Sequence, residues 1–151
     1  MPLQPPRQEG AKGSSPAKQF ARFSALGPKK HLGQNFLVNM GVTAKMTTAA
    51  DLLKTDVVLE VGPGLGALTR ELNARVKKVI AVEKDRNLAA HLAKEFSGVD
   101  IIEQDILKFS LETLPLGYKV GASIPFAITS PLIRKLLEAT PPDGGPPSRL
   151  V

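Results

Sequence analysis

An apolar run that passes straight into three glycines at alternate positions constrains this chain more than any other feature. Val57-Val58-Leu59-Glu60-Val61 is short, mostly β-branched and almost wholly apolar, the pattern of a strand buried on both faces in a parallel sheet. Gly62, Gly64 and Gly66 follow, and Leu65, Leu68 and Leu72 then recur at helical spacing. Strand, glycine turn and helix are the opening of a nucleotide-binding βαβ unit. Glycine is required where a ligand must lie close to the backbone or where φ is positive. The helix start offers free N–H groups to a polar or anionic ligand group. Alone, a glycine triplet also fits an ordinary tight turn.

The spacing narrows the choice. In the dinucleotide fingerprint the third glycine stands three residues after the second, whereas here the glycines are two apart. This tighter pattern, preceded by Glu60, resembles motif I of the S-adenosylmethionine (SAM) dependent methyltransferases. A second signal agrees with it. Val79-Ile80-Ala81-Val82 reads as another strand and ends on Glu83, 21 residues beyond Gly62 (83 − 62). An acid at the tip of a second strand can accept hydrogen bonds from both ribose hydroxyls. Together the two signals favour an adenosine-containing ligand over a structural turn.

Composition sets the remaining bounds. A chain of 151 residues is about one domain, and 42% hydrophobic content is enough for a core. With six Phe, one Tyr and no Trp, that core must be mainly aliphatic. No run approaches the roughly 18 apolar residues of a membrane span, and no apolar segment marks a secretory signal. The absence of cysteine excludes disulfides and thiolate metal sites and fits a cytoplasmic setting. The net charge of +6 is uneven: residues 1–34 carry Arg7, Lys12, Lys18, Arg22, Lys29 and Lys30 against Glu9, a balance of +5 that leaves +1 for the rest. A basic arm on a near-neutral domain suits an anionic polymer, and equally a solubilising tail.

Along the chain, residues 1–28 read as a disordered, basic arm rich in Pro, Gly and Ser, residues 29–139 as the folded domain, and residues 140–151 as a Pro/Gly-rich tail. A helix is expected over Thr43–Leu53, with Met46, Ala49, Ala50 and Leu53 on its inner face. Asp85 should cap a helix carrying Leu88, Leu92 and Phe96 and ending at Gly98, with His91 solvated or half-buried. Val99–Glu103 and Tyr118–Ser123 are expected as the third and fourth strands, and Ser130-Pro131 as the start of a helix. The class is therefore α/β with a mainly parallel sheet, ending after about four strands, the fourth left as an edge unless something covers it. Glu60, the glycines, Glu83, Asp105 and Ser123–Phe126 all fall at the carboxyl ends of strands, where ligands of open α/β sheets bind.

With those residues assembled, the chain resembles the N-terminal, SAM-binding portion of the rRNA adenine-N6,N6-dimethyltransferase family (KsgA-like, related to the Erm methylases). The matching segments are Leu32-Gly33-Gln34-Asn35-Phe36-Leu37, Val58 through Thr69, Ala81-Val82-Glu83-Lys84-Asp85, Gln104-Asp105-Ile106, and Ile124-Pro125-Phe126 through Ser130-Pro131-Leu132. The resemblance implies a Rossmann-like methyltransferase fold and roles position by position. Asn35 and Leu37 would close over SAM, Gly62 would lie against its methionine part, and Glu60, Gly64, Gly66, Ile106 and Ser123 would also belong to the cofactor-binding set. Glu83 would take the ribose hydroxyls, and Asp105, beside Ile106, would accept from the adenine amino group. Ser123, Pro125 and Phe126 would hold the target adenine, with acceptors on its N6 and the Phe126 ring stacked on the base. Arg22, Lys29 and Lys30 would meet the phosphates of small-subunit rRNA.

The chemistry so implied needs no metal: in-line positioning of N6 against a sulfonium methyl supplies most of it, and acceptors at N6 stabilise the charge that develops there. The expected molecule is a monomer with rRNA as partner and no membrane association. Two departures from the family pattern stand out: Ser123 occupies the place of an asparagine, and the chain is short. They favour an alternative, a catalytically silent RNA-binding or ribosome-assembly module that retains the fold. A dinucleotide-dependent oxidoreductase is a third reading, opposed by the glycine spacing and the Ile-Pro-Phe box.

Overall fold

The computed structural model describes residues 40–139 and 145–151. Its centre is β1 (Val57–Val61), which pairs in parallel with β2 (Lys78–Glu83) on one side and β4 (Lys119–Ala122) on the other. β3 (Asp100–Glu103) adds to β2 and β5 (Arg149–Leu150) to β4, again in parallel, giving the order β3-β2-β1-β4-β5. The order reverses between β1 and β4, which puts the switch-point crevice at the carboxyl end of β1.

Alternation along the strands supplies two apolar faces. Leu59, Val61, Ile80, Val82 and Val120 face α4 (Phe126–Leu137) through Leu132 and Leu136, with Phe109, Leu111 and Tyr118 from the connection before β4. Val58, Val79 and Ala81 face α2 (Ala67–Asn73) and α3 (Arg86–Glu95) through Leu68, Leu72 and Leu92, joined by Phe96. A parallel sheet needs both faces covered, and the near-continuous apolar strands reflect it. No helix among the described residues is long and apolar enough to cross a membrane.

Several elements differ from expectation. α1 spans Met40–Ala49, not Thr43–Leu53. Asp51 adopts φ +48, a left-handed conformation tolerated by short polar side chains, and the chain then turns, the Asp56 carboxylate accepting the Leu53 N–H at 2.6 Å. The buried face of α1 is Thr43 and Thr47 with Met46 beside them, and Ala50 is buried just past its end; Ala49 and Leu53 are exposed. α4 begins at Phe126 with Pro125 at its N-cap, so Pro131 lies inside the helix rather than at its start. The carbonyl of Ala127 thereby loses its helical partner, but Ala127 and Pro131 are both exposed, and water can serve it. Asp85 does cap α3, accepting the N–H groups of Asn87 and Leu88 at 2.8 and 3.3 Å. The helix ends at Glu95, and Gly98 lies in the following turn without a positive φ.

β4 is not an edge. Val151 N–H donates to the Val120 carbonyl (3.0 Å), Ala122 N–H to the Val151 carbonyl (2.9 Å), and Ser148 N–H to the Tyr118 carbonyl (2.8 Å). The Pro/Gly-rich tail thus ends within the sheet. At the opposite end of the strands, the ammonium of Lys119 pairs with Asp56 at 2.8 Å, both side chains nearly buried, and donates to the Asp51 carbonyl. Burial would raise the Asp56 pKa, but Lys119 and the Leu53 N–H outweigh it and hold the carboxyl below its ordinary value. The contribution is therefore present above the unfolded-state pKa and lost as pH falls through the folded one. Lys119→Met should lower unfolding free energy by about 3 kcal/mol or more at neutral pH, because a largely buried carboxylate loses its partner. Chemical denaturation checks this, and adding Asp56→Leu should restore most of the loss.

Candidate active site

Gly62, Gly64 and Gly66 all adopt positive φ, +66, +59 and +83, but for different ends. A side chain on Gly62 would sit 3.3 Å from the Ser123 carbonyl, so the bare backbone lets the loop press against the end of β4. Gly62 N–H donates to Val82 (3.0 Å) and Ser123 N–H to Val61 (3.4 Å), tying three strand ends together. Gly66 faces inward: a Cβ there would lie 2.5 Å from Cε2 of Phe96 and 2.9 Å from Cδ2 of Leu92. It is the glycine that lets α2 approach α3, and it serves packing.

The strand-end acids differ sharply. Glu83 is buried, and its Oε2 accepts the Gly64 N–H at 3.2 Å while Oε1 accepts the Asp85 N–H at 2.8 Å. Burial raises its pKa; the N–H groups of Asp85 and Gly64 oppose the rise. Asp105 follows β3, and Gln104 N–H donates to the Glu83 carbonyl at 3.0 Å, which brings the two acid-bearing turns side by side. Oδ1 of Asp105 accepts the Leu107 N–H at 3.0 Å and Oδ2 meets the Lys84 ammonium at 2.9 Å, interactions that lower its pKa, Lys84 foremost. Asp105 thus caps a turn as well as standing on the rim.

Glu60 is enclosed, 1% exposed, on the α2 side of β1. Neither of its oxygens closes a hydrogen bond, and the buried hydroxyl of Thr69 is likewise unpartnered. Burial pushes the carboxyl up to about 8; Thr69 opposes this and the charge of Glu83 adds to it. Ile106 is buried in the core beneath the rim. Ser123 and Pro125 are half-buried, whereas Phe126, the first residue of α4, is 96% exposed. Asn35, Leu37, Arg22, Lys29 and Lys30 lie outside the described residues. His91 is half-buried and faces Glu95 at 3.0 Å, away from the rim acids in α3. Sequence reasoning missed Thr69, legible only as a hydroxyl on the Leu68–Leu72 stripe, and the Lys84–Asp105 pair, which has no local signal.

Chemically, the rim offers two carboxylates, loop N–H groups and an exposed aromatic ring. No cluster of three or more His, Asp or Glu among the described residues could hold a metal. Such a set binds and orients. Gly66→Ala should cost about 1–3 kcal/mol through overpacking, beyond the positive-φ strain it shares with Gly117→Ala. Gly117 has φ +78 but open space around a Cβ, so its variant isolates the strain alone. Thermal unfolding of the pair separates the two effects.

The sequence profile described as Ribosomal RNA adenine dimethylase matches residues 26–145. The ribosomal RNA small subunit methyltransferase A of Dehalococcoides mccartyi (strain CBDB1) is 46% identical over 129 residues, covering 82% of this chain and 44% of that protein. The protein of the same name from Chlorobium luteolum is 42% identical over 119 residues, covering 78% and 44%. The chain spans about half the length of the curated relatives it matches. Among solved structures, the 23S rRNA methyltransferase ErmE superposes with a TM-score of 0.65 at 34% identity, covering 70% of this chain and 43% of that one. A dimethyladenosine transferase from Plasmodium falciparum gives 0.61 at 33%, covering 68% and 38%.

Proposed function

The chain belongs to the ribosomal RNA adenine dimethylase family, and from that membership and the rim geometry we propose that it binds SAM and takes part in N6 methylation of adenines in small-subunit rRNA. The observation that carries the reading is the hydrogen bond between Glu83 and Gly64, which joins the two adenosine signals of the sequence at the switch point. A carboxylate has lone pairs to spare after one N–H on each oxygen, so Glu83 keeps acceptors for both ribose hydroxyls. Asp105 keeps acceptors for an adenine amino group in the same way. Gly62 and Gly64 leave backbone open to the methionine end, and Asn35 and Leu37 are assigned to close over it.

When bound, SAM supplies a methyl group on a positively charged sulfur. The protein's part is to hold an adenine N6 in line with that methyl, stabilise the positive charge developing on nitrogen, and let the N6 proton pass to solvent. Phe126 is the stacking surface for an extruded base, and its exposure supports that role. Ser123 and the neighbouring backbone are the N6 acceptors. Arg22, Lys29 and Lys30 are assigned to rRNA phosphates, a salt-sensitive contribution. The chain is assigned to the cytoplasm and to a monomeric state. A second reading rests on Ser123: its hydroxyl is shorter than an amide, which favours a silent RNA-binding or assembly module.

Calorimetry with SAM tests the cofactor reading. The protein should bind, and Glu83→Ala should weaken binding by about 1–3 kcal/mol, the cost of leaving polar groups unpaired. No change would reduce Glu83 to a loop-fastening acid. Transfer of labelled methyl to undermethylated small subunits tests the activity. Binding without transfer, rescued by Ser123→Asn, would establish the silent module.

A further inference from the structure

Glu60, grouped by the resemblance with the cofactor-binding residues, is enclosed in the structure and has no step in the proposed chemistry. Its cross-strand neighbours are Ala81 on β2 and Gly121 on β4, neither of which offers a polar side chain. From α2 the hydroxyl and N–H of Thr69 face it, and among the described residues the charged group acting on it is Glu83 at the end of β2. Among the described residues no cation compensates it: the ammonium of Lys84 is paired with Asp105 and that of Lys119 with Asp56. Two enclosed side chains, Glu60 and Thr69, thus confront each other without other partners among the described residues, just ahead of and behind the glycine loop in the chain. A carboxylate and a hydroxyl leave this pocket with one proton and a second negative charge beside Glu83. A carboxylic acid and a hydroxyl leave it with two protons and no added charge, so each oxygen can pair.

We propose that Glu60 is a positioning residue that works as a neutral carboxylic acid, bonded to Thr69, and so fastens the end of β1 to the first turns of α2 under the cofactor loop. Burial, first among the causes that lift its pKa to about 8, agrees with this. Because the folded-state value is raised, the stability it contributes is complete below the unfolded-state value of 4.5 and is lost as pH rises through about 8. Above that, a charge forms under the loop, opposes Glu83, and loosens the Gly64 N–H that Glu83 holds. The claim about the loop's ligand rests on the SAM reading; the claim about the proton does not.

The experiment follows two readouts from pH 5.5 to 9 in the wild type and in Glu60→Gln, an uncharged near-isostere: the thermal unfolding midpoint and the SAM dissociation constant. The wild-type midpoint should fall and SAM binding weaken about tenfold per pH unit beyond the titration, while Glu60→Gln should stay flat in both. An equal alkaline loss in Glu60→Gln, or a flat wild-type midpoint, would overturn the assignment. A stability profile that depends on Glu60 in a protein that does not bind SAM would uphold the assignment and remove the cofactor reading instead. Should Glu60→Gln not fold, carbon-13 titration of the Glu60 carboxyl in the wild type decides: a midpoint near 8 upholds it and an ordinary carboxyl midpoint overturns it.

Discussion

The N–H of Gly64 reaches the carboxylate of Glu83 because β1 and β2 run parallel and in register, Val61 beside Val82, so that both strands end at one level. Shift either strand by one residue and the acid points to the opposite face. The register is fixed in turn by burial, since Leu59 and Val61 share the α4 face with Ile80 and Val82 while Val58 shares the other with Val79 and Ala81. The site is thus a consequence of core packing carried to the strand tips.

That arrangement concentrates acids, and the protein manages them one by one. At the strand tips Asp105 has Lys84 and Glu83 has backbone N–H groups, while Asp56, at the opposite end of the sheet, has Lys119. Glu60 has no cation among the described residues and neither of its oxygens closes a hydrogen bond, in a position where the Born cost of a bare charge is many kcal/mol. Neutralisation is the remaining way to keep a carboxyl there. The rim acids Glu83 and Asp105 thus have N–H or ammonium partners, and the enclosed carboxyl of Glu60 below them has neither among the described residues.

Much of this was legible in the residues. Val57–Val61 and Val79–Glu83 are short β-branched runs whose ends are marked by glycine or acid, and Asp85 is a side chain whose capping role is local. What escaped was non-local. Pro131 reads as a helix start, but the Ser123–Pro125 segment had already placed the chain for a helix beginning at Phe126, and solvent exposure made an interior proline tolerable. Arg149-Leu150 is too short to signal a strand and becomes one only because β4 offers unpaired backbone. Gly66 looks like a ligand glycine from its spacing, yet its missing side chain makes room for Phe96, 30 residues away (96 − 66).

The start of α4 shows how such non-local constraints shape a site. Gly62 admits the Ser123 carbonyl to close contact, which fixes where β4 must end. Pro125, with φ −61 and ψ 144, then turns the chain without needing an N–H partner, and Phe126 becomes the first helical residue. A first-turn residue on the solvent side of a helix cannot reach the core that Leu132 and Leu136 fill, so its ring stays in water at a cost of about 2 kcal/mol relative to burial. A single exposed aromatic is ordinary on a protein surface. One whose placement follows from the glycine loop, through Ser123, depends on the same strand ends that carry Glu83, so under the proposed reading the stacking face and the cofactor acceptors would share one support, as in-line positioning of a methyl group requires.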